Sequence, residues 1–219
     1  MKKFELTSEF VTFLGKKLFR IKALISFGNV KEGELGGFVE KEENLDQSGN
    51  AWVYGNAWVS GNAWVFGNAW VYGDAWVYGN AWVYGDARVY GDARVSGNAR
   101  VYGNAKVFGN ARVSGNAEVF GNARVSGNAW VSGNAWVSGN AKVFGNDDYA
   151  TVHGFGSEYR TTTFFRTKAG EIGVRCGCFY GTLEEFRAKI KETHGEIKTA
   201  KEYLMVADLM EFRFSKEEA

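Results

Sequence analysis

From Gly49 to Phe144 the chain sets small apolar residues at fixed intervals, in a frame that never slips. Each unit reads Gly, Asn or Asp, Ala, a variable residue, Val, then Tyr, Ser or Phe, and sixteen units follow one another. Ala and Val are two positions apart. On an extended backbone they share one face, and the variable residue between them points the other way. Gly followed by Asn or Asp supplies a corner, because both tolerate backbone angles that other residues avoid. A short strand and a corner every six residues close a triangle in three units, or 18 residues. The pattern predicts a mainly β triangular prism of about five coils, filled by Val and Ala, about 25 Å long at a strand spacing of about 4.8 Å. Gly37–Glu42 and Glu43–Ser48 read as weakened units in the same frame.

Variable positions three units apart should stack outside. One ladder is Trp52, Trp70, Arg88, Lys106, Arg124, Lys142; the second is Trp58, Trp76, Arg94, Arg112, Trp130; the third is Trp64, Trp82, Arg100, Glu118, Trp136. Tyr54, Tyr72, Tyr90 and Phe108 run beside the first. Stacked long side chains shield flat faces, but so many outward tryptophans form a large apolar surface of the kind monomers rarely leave open. The eight tryptophans are therefore expected at an interface, against the N-terminal segment or another copy of the chain. Aromatics beside arginines could also stack on nucleobases.

The flanks divide the chain into three parts: 1–48, 49–146 and 147–219. Residues 10–24 alternate in apolar character around Gly15-Lys16-Lys17 and predict a hairpin; Phe38, Val39 and Leu45 are expected to plug the open prism end. After Asn146 the period stops. Two strands around Lys168-Ala169-Gly170 are followed by a capping box, Thr182 to Glu185, opening a helix with Leu183, Phe186 and Ile190 inward and Gly195 at its end. A second box, Thr199 to Glu202, is expected to open a helix with Tyr203, Val206, Leu209 and Met210 inward.

Composition narrows the classes. The formal net charge is +1 over 219 residues, and the repeat block carries 7 Lys/Arg against 4 Asp/Glu, no polybasic footprint. There is no apolar run long enough to span a membrane, and no apolar segment follows the N-terminal lysines to make a secretion signal. Cys176 and Cys178, in one C-x-C, are too few for a disulfide framework and fit a reduced cytoplasm.

The unbroken "A-x-V-x-G-[ND]" run resembles the hexapeptide repeat of left-handed parallel β-helices, which implies left-handed coils and, commonly, side-by-side homotrimers. The tail "GFGSEYRTTTFFRTKAGEIGVRCGCFYGTLEEF", with "LFRIKAL" and "LGGFVEKEENL" near the start, resembles uncharacterised phage and prophage proteins. That likeness implies work inside a bacterial cytoplasm and supplies no settled activity.

Candidate chemistry is sparse. Hexapeptide acyltransferases use a solenoid histidine as base, but His153 and His194 lie outside the repeats and no unit carries a projecting loop. Cys176 and Cys178 are read as core residues pointing with Val174; no further ligands suggest a metal site. His194 is read as a helix-terminal cap. His153, Gly154, Gly156, Ser157, Tyr159, Arg160 and Thr161 form the candidate ligand loop: two glycines let backbone N–H groups approach an anion, Arg160 can hold a phosphate, and hydroxyls add donors. The other reading is a plain glycine-rich connection. No cofactor, metal or catalytic residue is assigned. Three functions stay open, in this order: a binding protein that sequesters a small nucleotide-like anion or blocks a host defence protein, a structural spacer, and a diverged acyltransferase. The expected partners are a homo-oligomer, with a trimer favoured, and that ligand or protein, without membrane or nucleic acid.

Overall fold

The computed structural model describes residues 2–215. A hairpin of β1 (Phe4–Phe13) and β2 (Lys16–Ala23) leads to β3 (Leu35–Val39). Sixteen two-residue strands, β4–β19, run from Trp52–Val53 to Lys142–Val143. The C-terminal unit holds β20 (Tyr149–Val152), β21 (Thr162–Arg166), β22 (Ile172–Cys176), β23 (Phe179–Thr182), α1 (Leu183–His194) and α2 (Lys198–Phe214).

The repeat forms a parallel β-solenoid with 18 residues per turn, and all three outward ladders stack as the spacing predicts: Trp52 on Trp70, Trp58 on Trp76, Trp64 on Trp82, and so on down each sheet. Strand-to-strand bonds recur three units apart, as when Trp52 N–H donates to Ala69 O at 3.1 Å and Tyr54 N–H to Val71 O at 2.8 Å. Every repeat Ala and Val is buried, so the interior is filled and offers no channel. Gly103 shows why the corner needs glycine. Its φ is 67°, and a Cβ there would lie 3.1 Å from the Gly121 nitrogen of the next turn. Asparagine amides bridge turns along the corners, with Asn98 Nδ2 donating to Asn116 Oδ1 at 3.0 Å. The last residue of each unit builds two aromatic stacks: Tyr72–Tyr90–Phe108, and a second, Phe66–Tyr84–Tyr102–Phe120, with adjacent centroids 4.7–4.9 Å apart.

The weakened units do not keep the frame. Phe38 pairs with Trp58, Val39 with Val59 and Leu45 with Val65, each 20 residues apart. Two extra residues are absorbed between Leu45 and Val53. Val39 and Leu45 are thus inward rungs of a first turn rather than a separate plug, and the solenoid has about six turns. Phe4, Ile21, Ala23 and Val30 extend the core at this end. The hairpin turns at Leu14 and Gly15, with φ of 48° and 77°, one residue earlier than expected. An irregularity between Leu6 and Phe10 breaks the hairpin's register. Phe13 lies against Trp58 and Trp76, 5.2 and 4.7 Å away.

The C-terminal sheet, in the order β20-β21-β22-β23, is antiparallel and closes the other end. Alternation along β21 divides its work. Phe165 joins the solenoid core, whereas Phe164 joins Val174, Phe186, Ile190, Val206 and Met210 in a second core under the helices. Thr163 Oγ1 accepts the Trp136 N–H at 2.9 Å, and Lys168 N–H donates to Asn140 O at 2.9 Å. The predicted box opens α1: Glu185 N–H donates to Thr182 Oγ1 at 3.2 Å and Thr182 N–H to Glu185 Oε2 at 2.8 Å. The second box does not form. α2 starts at Lys198 with Ile197 at its N-cap and no side-chain cap bond. Its inward stripe is Ala200, Tyr203, Val206, Ala207, Met210 and Phe214, which leaves Leu209 off the stripe and 57% exposed. No helix of the described residues is long and apolar enough to cross a membrane.

Candidate functional site

The segment 153–161 connects β20 to β21. Gly154 and Gly156 take φ of 84° and 80°. Gly156 is buried under the Tyr203 ring, which a Cβ would strike. That close approach fixes the segment against α2. Ser157 and Arg160 then line a cleft of about 290 Å³ with Cys176 at the end of β22, Cys178 from the β22–β23 turn, Lys189 and His194 from α1, and Tyr203 from α2. Of the seven residues predicted for a ligand loop, these two reach the cleft and Gly156 supports it. Gly154 is not in its lining, His153 Nδ1 lies 3.2 Å from Thr161 Oγ1, and Tyr159 is 69% exposed at φ 50°.

Sequence reading missed Lys189 and Tyr203 here, and placed both cysteines elsewhere. The spacing of Lys189 and His194 over the last turns of one helix was the available signal. Cys176 is half-buried against the second core and accepts a 3.1 Å bond from Thr162 Oγ1. Cys178 does not point with it: Gly177, at φ 56°, turns the chain, and Cys178 is exposed. Burial, then the neighbouring Cys176, pushes the Tyr203 phenol up to about 12, so it is a hydrogen-bonding group at neutral pH and no base. His194 ends α1 as expected and packs on Tyr203, with ring centroids 5.9 Å apart. Among the described residues Arg160 pairs only with exposed Glu158, at 3.5 Å, a contact too weak and solvated to hold its guanidinium. Lys189 pairs with exposed Glu192 at 2.9 Å, and Glu158 itself lines the cleft, so the rim sets Arg160 and Lys189 beside one carboxylate over an aromatic floor. Among the described residues no group of three His, Cys, Asp or Glu could hold a metal ion.

The eight tryptophans do not share one environment. Trp52 is fully buried by the chain itself, between Phe4 and Phe27, which removes it from any interface with a second molecule. Trp58 and Trp76 stack 5.0 Å apart beneath Phe13. Trp70, Trp76 and Trp82 each carry an arginine of the next turn, Arg88, Arg94 and Arg100, at 4.9, 4.9 and 5.1 Å. Trp136 meets Arg175 of the C-terminal sheet at 5.5 Å. Trp64, Trp82 and Trp130 remain 37%, 38% and 51% exposed. The neighbouring stack adds a half-buried polar contact, Tyr102 Oη donating to Glu118 Oε2 at 2.9 Å.

Comparison with curated proteins found no match for the chain. Within the solenoid, residues 81–96, 87–103, 93–107 and 117–133 match the family model described as the YdcK beta solenoid repeat, so these central turns are similar to that repeat.

Proposed function

We propose that the protein is a binding protein whose solenoid is a rigid stem and whose C-terminal cleft takes a small anionic, nucleotide-like ligand. The observation that carries this reading is the convergence of Arg160, Lys189 and His194 on one cleft of about 290 Å³. A phosphate on Arg160 and Lys189 would be met by charge-assisted bonds. A planar group would lie toward the Tyr203 side. Set beside the resemblance to phage and prophage proteins, such binding would withdraw an anionic signal from a bacterial host. Calorimetry with a panel of mono- and cyclic nucleotides tests it. A ligand should bind the wild type and lose at least tenfold in affinity with Arg160→Ala, at an unchanged melting temperature. Equal affinity in the variant would remove the cleft from the reading.

A second reading, a homo-oligomeric scaffold with a trimer favoured, draws support from the open Trp64 and Trp82. Native mass spectrometry of wild type and Trp64→Lys tests it: an oligomer should appear and the variant should dissociate, and a monomeric wild type would refute it.

A further inference from the structure

The three solenoid faces differ in charge. On the face that begins with Trp52 and Trp70, the four following rungs are Arg88, Lys106, Arg124 and Lys142, stacked in register at a spacing of about 4.8 Å. Among the described residues none of the four forms an ion pair. Arg88, Arg124 and Lys142 are exposed and Lys106 is half-buried, and the two end cations lie over rings, Arg88 over Trp70 at 4.9 Å and Lys142 over Phe144 at 4.7 Å. The other faces interrupt their cations: Glu118 follows Arg100, 3.8 Å away, and Trp130 follows Arg112. Like charges directly opposite on a ladder weaken a sheet. The repeat accepts Trp or Glu at the same variable position, so the fold itself does not demand this row.

Two neighbouring rows define what the cations could meet. The corner before them carries Asp86 beside Arg88, then Asn104, Asn122 and Asn140 beside Lys106, Arg124 and Lys142, exposed amides that both donate and accept. The corner after them carries Tyr72, Tyr90 and Phe108, whose ring faces are turned on one another within 2–3°. Interior ring faces of that stack are therefore engaged, whereas single-stranded nucleic acid needs free ones for its bases.

We propose that this face binds a linear acidic polysaccharide, a chain with a carboxylate on successive sugars. Lys106, Arg124 and Lys142, clear of Asp86, take the carboxylates in charge-assisted bonds. Asn104, Asn122 and Asn140 meet the ring hydroxyls. Successive carboxylates of an extended chain fall on alternate sides, so alternate sugars present theirs to the row, where they relieve the repulsion among its aligned cations. The site is separate from the C-terminal cleft and does not depend on it.

The test is calorimetric titration of octagalacturonate into the full chain at about 50 and 200 mM salt. Binding should occur, weaken with salt, and fall about tenfold with Arg124→Gln. It should vanish in the triple variant Lys106→Gln, Arg124→Gln, Lys142→Gln, whose melting temperature should hold or rise as repulsion is removed. Arg94→Gln with Arg112→Gln on another face, and Arg160→Ala in the cleft, should leave it unchanged. No binding of octagalacturonate, or undiminished binding by the triple variant, would overturn the proposal. Equal affinity for an oligothymidylate that competes for the row would overturn its assignment to a polysaccharide.

Discussion

Alkaline titration reads out one buried ammonium. Lys3 is 2% exposed, and its Nζ donates to Ala51 O at 3.0 Å and to Ser48 O at 3.2 Å, where the first full repeat begins. Burial pushes its pKa down from the ordinary 10.5 to about 8, with Asp46 acting in the opposite sense. Below about pH 8 the folded and unfolded chains both hold this proton, and stability is flat. Between about 8 and 10.5 the unfolded chain holds it and the folded chain does not, so stability rises with pH. The full interval corresponds to about 3 kcal/mol, of which about 2 kcal/mol should be gained by pH 9.5. Tyr54, Tyr72, Tyr84 and Tyr102 work the other way, each raised chiefly by burial. Above about pH 10 the folded chain holds their protons longer than the unfolded chain, and stability falls as pH rises. The gain is therefore confined to a window between about 8 and 10. Urea unfolding followed by tryptophan fluorescence at pH 7 and 9.5 measures it, with Lys3→Met as the reference that cannot titrate there. Wild type should gain about 2 kcal/mol over the variant between the two pH values. Parallel behaviour of the two proteins would refute the placement of a charged ammonium in that buried site.

Other perturbations test the solenoid. Deleting residues 91–108, one whole turn, should keep the circular dichroism spectrum and a cooperative melt, whereas deleting six residues should lower the melting temperature by mismatching the faces around the cap. Gly103→Ala should cost about 1–2 kcal/mol, from positive φ and the close Gly121 nitrogen, measured by urea unfolding. Tyr102→Phe should cost about 1 kcal/mol through the lost Glu118 bond, and Tyr102→Ala more, because the stack above and below is also broken. Phe165→Ala should cost about 3–5 kcal/mol, since its ring is in the solenoid core.

Much of the fold was legible because one constraint repeats. Ala and Val must go inward at every turn, and that fixes the outward partner of Trp52 or Arg100 by counting alone. The count failed where no side chain enforced it. Between Leu45 and Val53 nothing in the sequence marks two extra residues, since a corner can absorb them without exposing an apolar rung. The second corner stack, Phe66 to Phe120, was present in the same spacing and went unread. In the C-terminal unit the box at Thr182 was legible because both halves of a local contact sit three residues apart. The cleft was only partly legible: the spacing of Lys189 and His194 sets them together on one helix, but their meeting with Ser157, Arg160 and Tyr203 comes from helix packing, which leaves no trace in the sequence.

β21 is a wall shared by two rooms. Phe165 looks into the solenoid and Phe164 into the helical core, from adjacent positions on a strand five residues long. The last turn of the solenoid therefore cannot fray without disturbing the strand that leads directly out of Arg160. Whatever the cleft holds would be felt as added protection of amides such as Trp136 N–H, which is bonded to Thr163 on that strand. Occupancy at one end of the molecule would become readable, by hydrogen exchange, as stiffness in its stem.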